Sequence, residues 1–445
     1  MAAIPDGIET DTTPPLTVPL RHFLVGIVLL VGAAALWTLS ALDAAPAMAG
    51  VATRHLLVAG WVCITIMGAM TQFVPVWAGV TLHSDRLAVA QLWLFTAGIV
   101  GVVGHFLTGA LASLPYVAVL AVAGALVFAY NVGRTIASAG RPDVTTGHFA
   151  VALCWMVVVP LLGVVLGLLY GRPGLVSNLP ATRMNVLLAH VTGAVFGIVL
   201  TTVLGAIYQL VQMFTQSEFD AVDRWLVRGE SVAYPVGVLA LAGGRLAGVV
   251  PLARVGAVLT VSGVAVAAVV VGRQLLATRT EWTPVLTRYA VVVAAMLLWA
   301  GLTLPSWLAD PTAYLTRFGP EPAASVLLLG VLLFVVVGTL YHVVPFVVWF
   351  HRYSDRLGLE KVPMIDDLYD DRLAAVDFAC LSVGAVVLVV GEAGLVGSAA
   401  IPFGAGALLL GTLVFGANML VVVRGHSPYS MPAIVLWERL DGPTE

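Results

Sequence analysis

Charge is what this chain has least of. Asp, Glu, Lys and Arg make up 10% of its 445 residues, against about 25% in soluble domains, and Lys361 is the one lysine among 21 basic residues. So few cations exclude a nucleic-acid partner. Cysteine is also scarce: Cys63, Cys154 and Cys380 give no disulfide framework, and without a Cys-x-x-Cys or Cys-x-x-Cys-His no covalent c-type haem is indicated. All three lie in apolar runs, where they are expected to pack. No loop carries a phosphate-binding Gly motif, a dinucleotide fingerprint or a hydrolase nucleophile elbow.

What is there is apolar: 60% hydrophobic residues and a mean hydropathy of +1.01. Crossing a hydrocarbon core of about 30 Å takes about 20 apolar residues. Twelve runs qualify, at 20–42, 54–80, 87–110, 112–134, 147–170, 184–212, 232–251, 254–276, 288–308, 323–350, 373–396 and 399–423. Lipid leaves backbone polar groups no partner but a helix, so all are expected to be helical. The expected fold is all-α: one polytopic membrane domain over 1–445, with 12 transmembrane helices, a tail over 1–19 and no cleavable signal. Fifteen of the basic residues, among them Arg141 and Arg439, fall with the N-terminus, the even-numbered loops and the C-terminus. Arg54, Arg172, Arg183, Arg254 and Arg317 fall on the other side, with Arg245 ambiguous. The positive-inside rule then places both termini in the cytoplasm of a plasma-membrane protein.

The chain also repeats itself. Residues 68–87 and 338–357 align without a gap, sharing Gly, Val-Pro (Val74-Pro75 on Val344-Pro345) and a closing Ser-Asp-Arg-Leu. A weaker copy pairs Gly205 with Gly338, Tyr208 with Tyr341 and Gln209 with His342. The markers lie 137 and 133 positions apart, a spacing of four helices. Three parallel four-helix units, about 20–134, 147–276 and 288–423, with helices 2, 6 and 10 equivalent, are therefore expected. Pro75 and Pro345 should kink their helices. Gly60, Gly68, Gly193, Gly197, Gly205 and Gly338 should let helices, or a flat ligand, approach closely.

Ionisable residues inside a membrane face the bundle interior and mark function. On the expected topology His55 and His190 fall in the outer leaflet at nearly equivalent positions of helices 2 and 6, and His105 lies at the same depth on helix 3. Imidazole is an axial ligand of haem iron, and facing helices of a bundle can supply two. His55 with His190 is the favoured pair, with His105 as substitute; helix-end hydrogen bonding is the plainer reading. Arg245, deep in helix 7, either faces an anion such as a haem propionate or snorkels from a short helix. Gln72, Gln209 and His342 suggest a polar layer nearer the cytoplasm, a path for protons or substrate or else a structural cluster. His22, His83 and His148 are expected at solvated interfaces.

Twelve spans in three units, with histidines on helices 2 and 6 near the outer face, resemble subunit I of the haem-copper oxidases. The stretch Arg54-His55 through Gly79 is also similar to the second helix of NnrS-type haem and copper membrane proteins. The resemblance implies pseudo-threefold architecture, His55 as the low-spin haem ligand, and His190 as the helix 6 histidine that binds copper in true oxidases. Three departures stand out: residues 232–251 hold no histidine, helix 10 has only His342, and Ala194 replaces the tyrosine after the helix 6 histidine. A copper centre and oxygen reduction are therefore not expected. What the resemblance leaves is a haem b-binding scaffold for electron transfer or nitric oxide chemistry, an oxidoreductase served by a redox partner protein or quinol. The alternative is a secondary transporter of a small solute, for which repeats and twelve spans are equally typical.

Overall fold

A computed structural model of the chain describes residues 14–140 and 143–435. Arg141, Arg439 and residues 1–13 of the expected tail lie outside the described residues. Among the described residues there is no strand, and twelve long helices account for the architecture. These are α1 (Thr17–Ala41), α2 (Ala49–Ala78), α3 (Asp85–Thr108), α4 (Leu114–Ser138), α5 (Val144–Gly171), α6 (Arg183–Thr215), α7 (Ala221–Ala247), α8 (Val250–Leu276), α9 (Pro284–Ala309), α10 (Glu321–Arg356), α11 (Asp371–Glu392) and α12 (Ala400–His426). A short α13 (Met431–Val435) follows.

Eleven of the twelve are long and apolar enough to cross a membrane, which makes this a multi-pass membrane protein. The twelfth, α7, is 27 residues long but carries Asp223, Arg224, Arg228, Glu230 and Arg245. It begins eleven residues before the expected 232, because Asp220 and Asp223 form a reciprocal capping box that starts the helix there. It ends at Ala247, short of the expected 251, since Gly248 takes a left-handed φ of 70° and Pro251 opens α8.

Ser-Asp-Arg-Leu plays a different part in each copy. Gly79 stops α2 with φ 63°, and Ser84 caps the start of α3 by accepting from Leu87 N. In the second copy Trp349 stands where Gly79 stands in the first, so α10 runs on and Ser354–Arg356 forms its last, tightened turn. The expected cytoplasmic end-marker of helix 2 is thus the start of α3. Pro75 and Pro345 both sit inside continuous helices.

Burial separates the helices into two classes. In α2, α6 and α10 the apolar windows are 78%, 78% and 83% buried, whereas no other spanning helix exceeds 56%. Among the described residues these three alone contain widened i→i+5 segments, His55–Cys63, Gly193–Leu200 and Val326–Leu333. Such segments are rare and concentrate at functional sites. Shifting His55 by 137 and then 133 reaches 192 and 325, one residue from each observed start.

The outer helices pair through their backbones. A Cβ on Gly98 would stand 2.2 Å from Ala121 N, joining α3 to α4, and one on Gly256 would stand 2.1 Å from Leu241 N, joining α8 to α7. In lipid, helix association depends on such close packing rather than on the exclusion of water. The same device seats α1, α5 and α9 on the inner helices. Cβ atoms built on Gly68, Gly205 and Gly338 would lie 2.5, 2.6 and 3.1 Å from the Cβ atoms of His22, His148 and Arg288. The other expected approaches are helix packing too: Gly193 and Gly197 lie against Trp155, and Gly60 against Leu29.

Candidate functional site

His55 opens the widened segment of α2, and His190 lies three residues before that of α6. Their rings face each other with centroids 6.5 Å apart and planes 22° apart. Each ring is anchored through Nδ1. His55 Nδ1 donates to Val51 O at 2.9 Å, and His190 Nδ1 donates to Val159 O across to α5 at 3.0 Å. Anchoring Nδ1 fixes the tautomer that leaves Nε2 with a lone pair, the second-sphere arrangement of metal-ligating histidines. Two imidazoles bound to one metal through bonds of about 2 Å have centroids about 6 Å apart, close to the separation of this pair. Gly163 supplies the room on α5, where a Cβ would lie 3.3 Å from His190 Cε1.

His105 is not part of this pair. Its Nδ1 bonds Gly101 O within α3, and its neighbour Phe106 is the residue whose ring packs on His55, at 5.0 Å. Arg245 is fully buried and does not snorkel. Its Nε donates to Pro311 O at 2.8 Å, its Nη1 to Thr192 Oγ1 at 2.7 Å and to Arg317 O at 3.2 Å, and its plane lies 4.9 Å from the Trp307 ring. Nη2 has no partner, and among the described residues Arg245 forms no ion pair. Thr192, which holds this guanidinium, is two residues from His190.

The expected polar layer is not assembled. Gln72 is buried, with Oε1 unpartnered, beside Phe346 and His351. Gln209 is exposed on the opposite face of α6. His342 packs its ring on Phe214 and Phe346. Cys63 is buried as expected, but Cys154 is exposed on α5.

A cavity of about 80 Å³ lies at the centre of the bundle. To its wall α2 contributes positions 65, 66, 69, 70, 73 and 77, α6 contributes 202, 203, 206, 207 and 210, and α10 contributes 335, 336, 339, 340 and 343. Trp77 apart, the second set is the first shifted by 137, and the third is the second shifted by 133. Phe23, Phe149 and Tyr289, each next to a residue seated on a repeat glycine, complete it.

Around this core lie charged groups that the sequence reading had placed elsewhere. His22 and His148, expected at solvated interfaces, are buried, because the repeat glycines draw them between helices. His148 Nε2 lies 3.3 Å from the Glu230 carboxylate, which also accepts from Tyr208 OH at 3.0 Å. At the matching positions Arg288 pairs with Asp377, and Tyr341 OH donates to the same carboxylate; Asn418 Nδ2 donates to Tyr341 OH at 3.1 Å. The Tyr208–Tyr341 match was the signal in the sequence. Glu230 was hidden because the apolar run of helix 7 begins only at 232. No protein-family model and no curated protein matches the chain.

Proposed function

We propose that the chain is a haem b-binding integral membrane protein, built as twelve spans in three pseudo-threefold four-helix units, with both termini in the cytoplasm of the plasma membrane. The observation that carries this reading is the anchored, face-to-face pair His55 and His190. Haem would supply one-electron chemistry. The protein's own residues would set its environment: Val51 and Val159 carbonyls orient the imidazoles, Phe106 covers the His55 ring, and Arg245 offers its remaining N–H arm to a propionate. A buried guanidinium without a counter-ion is costly, and an anion at this spot would offset it. His105 remains the substitute ligand. The role that follows is electron transfer or nitric oxide chemistry with a quinol or a redox protein as donor; copper and oxygen reduction have no ligand set to support them.

The four-helix units are supported by three independent registers: the i→i+5 segments, the glycine seats and the cavity lining. The experiment is optical. Detergent-extracted protein should carry a Soret band, His55→Ala and His190→Ala should each abolish or shift it, and a colourless wild-type protein would sink the haem reading. A secondary transporter is the second reading, favoured by the central cavity with buried charges beside it. Solute uptake by haem-free protein in liposomes would decide for it.

A further inference from the structure

Two buried clusters occupy matching places, and they differ in one respect. In one, His148 of α5, Tyr208 of α6 and Glu230 of α7 meet; in the other, Arg288 of α9, Tyr341 of α10 and Asp377 of α11 meet. His148 and Arg288 sit on Gly205 and Gly338, which the repeat pairs, and Tyr208 pairs with Tyr341. The side chains of all four charged partners are at most 1% exposed. In the first four helices the same seat, on Gly68, holds His22, whose Nδ1 is bonded to Val18 O and whose Nε2 has no partner, and Thr71 replaces the tyrosine. One seat thus has a histidine without an acid, one an arginine with an acid, and one a histidine with an acid.

The third combination has a chemistry that the others lack. Arginine keeps its proton at every accessible pH, so the seat on Gly338 holds a fixed cation beside Asp377. Imidazole gains and loses a proton near neutrality. His148 and Glu230 together hold one proton between two bases and can take up a second, or release the first, without moving a helix. We propose that His148, Glu230 and Tyr208 form a proton-binding site inside the membrane domain, of which Arg288, Asp377 and Tyr341 are the counterpart built on a fixed cation.

The polar groups nearest the pair are engaged elsewhere. Val144 O holds His148 through Nδ1 at 2.8 Å, so Nε2 faces the acid. Tyr208 OH donates to Glu230 Oε2 and stabilises the carboxylate whichever way the imidazole titrates. Tyr234, one turn further along α7, donates to Phe196 O rather than to Glu230. From α8, Arg273 and Gln274 are engaged with Asp220 and Asp223. Those two acids lie in the polar first turns of α7, and Glu230 is seven residues beyond Asp223, about 10 Å along the helix. Each uptake adds one proton and one positive charge, with no electron transferred.

Infrared difference spectroscopy of the full chain in liposomes, titrated between about pH 4 and pH 10, tests this. The step is read in the wild-type-minus-His148→Arg difference, where the other eight histidines and the other carboxyls cancel, and it should carry both imidazole and carboxyl signatures. His148→Arg copies the Arg288 seat and keeps a cation on the acid, so it should lack that step. Glu230→Gln should leave an imidazole step moved down by about a unit or more, because the stabilising charge is gone. Circular dichroism melting verifies that His148→Arg is folded. Absence of the step from wild type, or its survival in His148→Arg, overturns the proposal. Neither measurement depends on haem, so the fate of the histidine pair at the outer end is decided separately.

Discussion

Replacing Asp377 by leucine would leave Arg288 with a buried charge and no counter-charge. The guanidinium is 1% exposed and its partner carboxylate 0%. What would remain are the carbonyls of Ala374 at 2.8 Å and Pro284 at 3.0 Å, and the Tyr341 ring 4.4 Å away. Removing one member of a buried pair typically costs about 3–5 kcal/mol, whereas replacing both by apolar groups is near neutral. Asp377→Leu should therefore lower the folded-to-unfolded ratio by roughly a hundredfold to a few thousandfold. Tyr341 OH donates to Asp377 and loses that acceptor in both variants, while Asn418 still donates to it, so both are made in a Tyr341→Phe background and referred to it. In that background Arg288→Met with Asp377→Leu should return to within about 1 kcal/mol of the unsubstituted pair. Reversible unfolding in mixed micelles, followed by tryptophan fluorescence, measures both. A single substitution costing under about 1 kcal/mol, or a double variant as unstable as the single, would refute the account of a matched buried pair.

Further outcomes follow from other places in the fold. Gly256→Ala puts a methyl group 2.1 Å from Leu241 N, so the α7–α8 pair must separate; a loss of about 1–3 kcal/mol in the same unfolding assay is expected. Ala206→Leu projects into the central cavity of about 80 Å³, whose full filling would be worth at most about 2 kcal/mol; a melting temperature unchanged or raised is expected, and a marked fall would show that the space is not there. Asp310, in the α9–α10 loop, accepts from the Thr312 hydroxyl and backbone N–H, which hold its carboxyl below the ordinary aspartate value. A depressed value stabilises the loop above the ordinary range and the benefit is lost as pH falls through the lowered one. Thr312→Val should move the onset of loop opening in hydrogen exchange to higher pH.

The all-helical class, the inner rank of helices 2, 6 and 10 and the nearness of His55 to His190 were legible because each rests on composition or on a spacing kept in the repeat. The ends of α7 were not, since Glu230 and Arg228 look like loop residues until Tyr208 and His148 are seen to receive the acid. His148 was misplaced for a related reason: four residues from the start of a helix reads as an interface, and only the Gly205 seat shows that α5 begins already inside the bundle. Ser-Asp-Arg-Leu looked like one signal used twice, but a single change, Gly79 against Trp349, gives it two backbone conformations. The i→i+5 segments leave no mark in residue type at all, because they depend on where hydrogen bonds close.

Those segments tie the two ends of each inner helix to one another. An i→i+5 stretch absorbs a residue that an ordinary helix would spend on rotation, so the half below it is out of phase with the half above. Deleting one residue between His55 and Cys63 would therefore close the stretch into regular winding and leave positions 65 to 73 facing the central cavity, whereas deleting one beyond Cys63, where no spare residue is held, would turn everything after it by about 100°. These nine residues are thus the place in the helix where chain length can change by one without moving the cavity wall.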